Sequence, residues 1–183
     1  MRRILQLTAV AISCGAPAAA HAGELQIALG AAGEATTWEG DSAVYSSLQI
    51  GWRFRERVSI DFLGRLGYGQ VDDRMLTYFS VGAGLWGRWG STRPHLHLGV
   101  VHQHEEPIAV LEANPFEALL GVGDGIRHRA GGQISAAIDL PIGRLWRHPL
   151  FLSLGLQATR FIDDRGPGVQ WGAGVGLRWT WAR

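Results

Sequence analysis

Lysine is absent from this 183-residue chain, and cysteine occurs once, as Cys14. Beyond the N-terminus no apolar run approaches the roughly 20 residues that a membrane helix needs. Each absence excludes something. With Cys14 inside an N-terminal export segment, the mature chain has no thiol, so disulfides and Cys-ligated metal sites drop out. Any crossing of a bilayer must be made by strands. Every positive side chain is Arg, whose guanidinium suits both a buried ion pair and a lipid phosphate.

What is there begins with Met1-Arg2-Arg3, an apolar segment from Ile4 to Ile12, and the small-residue series Ala18-Ala19-Ala20-His21-Ala22. A charged n-region, a short h-region and an A-x-A site are the parts of a secretory signal peptide, expected over residues 1–22. Residues 23–183 then form one domain. A cysteine soon after an apolar run is also where bacterial lipoproteins are lipidated, although Ala11 stands where such sites usually carry Leu. Removing Arg2 and Arg3 leaves 15 basic residues against 16 acidic ones, a composition that does not suit nucleic acid.

From Gly23 onward the chain alternates. The last stretch reads Val169, Trp171, Ala173, Val175, Leu177, Trp179 and Trp181 on one parity, and Gln170, Gly172, Gly174, Gly176, Arg178 and Thr180 on the other. Those are the two faces of a strand between a greasy and a polar surrounding. Similar segments are expected from Glu24 to about Ala35, from Tyr45 to Phe54, from Val58 to Gly69 and from Thr77 to Trp89. Others follow from His95 to about His102, from His128 to Ile142 and from Leu150 to Thr159. The inward set includes Gln26, Gln49, Arg53, Asp61, Arg65, Arg88, His97, Asp139, Gln157 and Arg178, with Asp61 expected to pair with Arg65 or with an Arg of a neighbouring strand.

Connections alternate too: Arg55–Arg57, Gly90–Thr92 and Gly143–His148 are short, whereas residues 107–127 form the longest irregular piece, with a short helix expected over 115–120. Short periplasmic turns and longer outer loops are the habit of transmembrane barrels. Trp52, Phe54, Trp89, Trp146, Trp179 and Trp181 fall near the short-turn ends, where an interfacial girdle belongs. Tyr45, Tyr68, Tyr78 and Trp171 are the candidates for the other girdle, although Tyr45 and Tyr78 have the inward parity.

On these residues the chain resembles the small eight-stranded outer-membrane β-barrels of Gram-negative bacteria. The resemblance implies an all-β, up-and-down antiparallel transmembrane β-barrel of about eight strands in the bacterial outer membrane. Its implied surroundings are outer-membrane lipid and lipopolysaccharide, and its implied assembly partner is the barrel-assembly machinery. Such barrels commonly end in an aromatic, usually Phe, whereas this sequence ends Trp181-Ala182-Arg183.

Chemistry is sparser. An eight-stranded barrel is just wide enough for its own side chains, so the reading is a filled lumen and a structural or interaction role. No cofactor is expected. His102, His104 and Glu105 at the end of one strand, facing His128 at the start of the next, form the candidate metal set, since imidazole and carboxylate suit divalent ions. The alternative function is lipid modification. Lipid A deacylases are similar in architecture and use a His-x-Ser pair with a nearby acid, but the matching tripeptide here is His128-Arg129-Ala130 and Ser135 lies farther along the strand. The loop over 107–127, with Ile108, Val110, Leu111, Phe116, Leu119 and Leu120, is a candidate surface for a partner.

Overall fold

The computed structural model describes residues 23–113, 116, 122 and 125–182. The expected signal peptide, residues 1–22, lies outside them. Eight strands close into one antiparallel barrel in the order of the chain: β1 (Glu24–Thr36), β2 (Ser42–Phe54), β3 (Val58–Gly69), β4 (Arg74–Trp86), β5 (Arg93–Pro107), β6 (Arg127–Leu145), β7 (His148–Phe161) and β8 (Val169–Ala182). A short helix, α1 (Ile108–Ala113), follows β5. The helix expected over 115–120 falls, apart from Phe116, outside the described residues. Closure comes from β1 pairing with β8, Glu24 opposite Ala182 through Thr36 opposite Gln170.

Alternation explains the burial. Leu96, Leu98 and Val100 of β5 are exposed, as are Ile60 and Phe62 of β3, Val81 and Leu85 of β4, and Leu154 and Leu156 of β7. The opposite parity is buried and polar: Gln26, Arg53, Ser59, Asp61, Arg65, Ser80, His97, Gln133, Asp139 and Arg178. Water would punish so broad an apolar exterior, and a closed barrel leaves no unpaired backbone edge, so the outer wall faces lipid. At the short-turn end Trp89 and Trp146 stand clear of the wall, and at the other end Tyr68 and Trp171 are exposed. Tyr45 and Tyr78 are interior residues and belong to neither girdle. Arg88, expected inside, is exposed because β4 ends at Trp86.

Small residues let the walls come together. An added Cβ at Gly82, opposite Gly99 in the β4–β5 register, would meet the carbonyl oxygen of Leu98 and come within 2.6 Å of the Gly99 Cα. The β2–β3 turn is a different matter. Arg55 and Glu56 sit at φ 47° and 62°, the left-handed pair of a type I′ turn closed by the Arg57 N–H donating to the Phe54 carbonyl at 3.1 Å, a pair that Asn-Gly fits at little cost. Replacing Arg55-Glu56 by Asn-Gly is expected to stabilise the barrel by about 1–2 kcal/mol. Denaturant unfolding in detergent checks this, and an unchanged midpoint would count against it.

Candidate functional site

Two regions gather chemistry: the interior, and a patch of the outer wall near α1. In the interior the short-turn half is organised around Trp86. Its ring stacks on His95 with centroids 4.1 Å apart, the guanidinium carbons of Arg53 and Arg178 lie 4.8 and 5.2 Å from it, and its indole N–H donates to Ser59 Oγ at 2.9 Å. Ser59 in turn donates to Asp61 at 2.6 Å. Arg53 pairs with Glu24 at 2.7 Å, Arg93 with the same carboxylate at 3.3 Å, and Arg178 with Asp139 at 3.0 Å.

Above a cavity of about 120 Å³, lined by Ser47, Gln49, Leu63, His97, Ser135 and Ala137 among others, a second layer begins. Arg65 pairs with Glu34 at 2.7 Å and donates to Gln157, which itself donates to Glu34. The expected pairing of Asp61 with Arg65 does not form. The two stand on one face of one strand four residues apart, about 13 Å along β3. The nearest cation-forming group to Asp61 is His97, whose Nε2 is 3.8 Å away. It reaches over Gly82 of β4 from β5 inside the lumen, so neither part of the expectation holds.

At the long-loop mouth a chain of charges crosses the lumen. Asp41, just before β2, accepts from Arg74 at 2.7 Å, and Arg74 donates to Glu105 at 3.0 Å. Glu105 accepts from Arg129 at 2.8 Å, and Arg129 Nε donates to Asp163 at 3.0 Å. Arg129 also donates to the Pro167 carbonyl at 2.9 Å, tying the β7–β8 loop into the same chain. Arg74, Glu105 and Arg129 are at most 1% exposed. Sequence reading missed Glu34, Asp41, Arg74 and Arg129, although Arg129 has the inward parity of Gln133 and Glu34 that of Gln26.

His102, His104 and His128 come together on the outer wall, one ring nitrogen of each within 4.8 Å of the other two. His102 Nε2 is 2.7 Å from His104 Nε2 and 3.4 Å from His128 Nδ1. Glu105 is not with them. β5 keeps its alternation through Pro107, so Glu105 points into the lumen, against Arg74 and Arg129, while the histidines on either side of Gln103 point out. Ser135 lines the interior cavity, on the face of β6 opposite to that of His128. It is therefore out of reach as a nucleophile for that histidine. The part of the 107–127 loop that is described shows Phe116 81% and Val122 54% exposed.

No protein-family model matches the chain, and no curated protein matches it by sequence. Solved structures do match its fold. The N-terminal β-barrel domain of Pseudomonas aeruginosa OprF superposes with a TM-score of 0.60 at 16% identity, over 86% of this chain and 97% of that one. Neisserial surface protein A gives 0.57 at 14% identity, over 86% and 96%. Yersinia pestis Ail, the attachment invasion locus protein, solved with the heparin analogue sucrose octasulfate, gives 0.54 at 13% identity, over 87% and 99%. Closed, up-and-down and eight-stranded, with lipid-facing walls, the chain has the fold of the small bacterial outer-membrane β-barrels.

Proposed function

We propose that this chain is a non-conducting outer-membrane protein with a structural or interaction role, its lumen plugged by its own side chains. The observation that carries the reading is the buried chain Asp41–Arg74–Glu105–Arg129–Asp163 across the mouth. Each arginine in it has two carboxylate partners, so an ion entering the lumen would have to displace a paired charge, not a water molecule. The two layers beneath repeat the obstacle. Planar-bilayer recordings are expected to show no steady conductance, and a large, stable open level would overturn the plug.

The long-loop end is assigned to the cell exterior on loop length, which leaves the described loop residues Phe116 and Val122 to meet lipid, lipopolysaccharide or a partner protein. Export by the segment 1–22 predicts a mature N-terminus at Gly23, which N-terminal sequencing of the membrane-extracted protein reads directly. Pairing of β1 with β8 across nearly the whole chain is the step for which the barrel-assembly machinery would be needed.

A further inference from the structure

We propose that His102, His104 and His128 form a binding site for one transition-metal cation of the zinc class, on the outer wall of the barrel at its long-loop end, with Glu106 not as a ligand but as the acceptor for the second ring nitrogen of His104. The geometry of the nitrogens is the first support. Three nitrogens around a tetrahedral zinc ion, each about 2.0–2.1 Å from it, stand about 3.3 Å from one another. Here two of the three contacts are 2.7 and 3.4 Å, reached by residues on adjacent strands with His104 directly opposite His128 in the β5–β6 register. His102 Nε2 approaches two other ring nitrogens at once. One ring nitrogen offers one proton or one lone pair, so hydrogen bonding satisfies one of those approaches, whereas a cation accepts all three lone pairs.

The second support is independent of the imidazoles. Glu106 stands two residues after His104 on the same face of β5, is 0% exposed, and neither of its carboxylate oxygens has a hydrogen-bond partner among the described residues. His104 Nδ1 and the Thr77 hydroxyl, opposite His104 on β4, are buried and unpartnered in the same sense. An isolated carboxylate in an apolar wall is costly, and a buried polar group without a partner gains from acquiring one. A divalent cation neutralises the carboxylate. It also turns the free nitrogen of His104 into an N–H donor suited to Glu106, the pairing that orients metal-bound histidines elsewhere. With three imidazoles as the protein ligands, a coordination position stays open toward the outside, for water or for an anionic oxygen.

The test is Zn²⁺ titration of the tag-free, refolded barrel in detergent by calorimetry, with Co²⁺ absorption as a second readout of coordination. Binding of one ion per barrel is expected, with the intense visible bands of tetrahedral Co²⁺. The double variant His102→Ala, His104→Ala should bind more than about 100-fold more weakly, with its fold checked by circular dichroism. Glu106→Gln should weaken binding about 10- to 100-fold. His148→Ala, at the opposite end of the barrel, should leave it unchanged. The site is overturned if the wild type binds no ion, or binds no more tightly than the double variant. An unchanged affinity in Glu106→Gln overturns the part given to that carboxylate.

Discussion

Glu105→Gln is expected to lower the unfolding free energy of the barrel by about 3–5 kcal/mol, read as a shift in the midpoint of urea unfolding in lipid vesicles. The reason is the position of Glu105 between two cations. Its two oxygens each take one arginine, Arg129 at 2.8 Å and Arg74 at 3.0 Å, and all three side chains are buried. Glutamine keeps the volume and one acceptor oxygen but removes the charge that balances both guanidinium groups. Asp41 and Asp163 remain, one for each arginine, so the mouth does not lose all its anions. It loses the one that joins the two halves. Glu24→Gln provides the comparison: Glu24 is partly exposed at the other end, where water can take over for Arg93, and Arg53 keeps the amide oxygen and its place over the Trp86 ring. Its cost should stay near 1 kcal/mol, the range of an ordinary hydrogen-bonded group. Equal effects at the two sites would show that the mouth network carries no special share of stability.

Leu98→Arg is expected to cost about 2–4 kcal/mol in a bilayer, because a guanidinium near the membrane midplane loses its hydration and finds no partner on the wall. Leu98 is 56% exposed, sits opposite Ala83, and is the central one of the outward apolar residues Leu96, Leu98 and Val100 of β5. For a barrel surrounded by water the same substitution is neutral or helpful, since it replaces an exposed apolar side chain with a solvated one. The sign of the effect therefore tests the lipid-facing wall directly. Unfolding of both proteins from vesicles gives the number, and a Leu98→Arg barrel as stable as the wild type would rule out hydrocarbon at that residue.

The faces of the strands were legible in the sequence because alternation is a geometric property of extended chain: Leu96, Leu98 and Val100 could hardly face anywhere but away from His95 and His97. The extent of the strands was not. Apolar residues mark only the part of β5 that touches hydrocarbon, yet the strand runs on to Pro107, and beyond Val100 both faces carry polar groups. Once the greasy signal fades, neighbours in sequence look like neighbours in space, and Glu105 reads as a companion of the histidines. Counting parity onward from His97 would have separated them. The pairs across the lumen were beyond reach for another reason. Arg65 meets Glu34 through the stagger and tilt of the closed sheet, and those are fixed by eight registers together, not by any one segment.

The seam between β1 and β8 also sets an order of events. Residues 24–36 wait for residues 170–182, so the two ends of the sheet each present an open row of donors and acceptors until the last strand arrives. Contacts so far apart in the chain form slowly, and a half-zipped sheet can be capped by a strand of another molecule as readily as by its own. A chain stalled before Val169 would have six completed hairpin-type seams and two sticky margins, with no arrangement in hydrocarbon that hides them. Speed of delivery of the final strand, more than any single contact in the finished wall, then decides between a sealed cylinder and an aggregate.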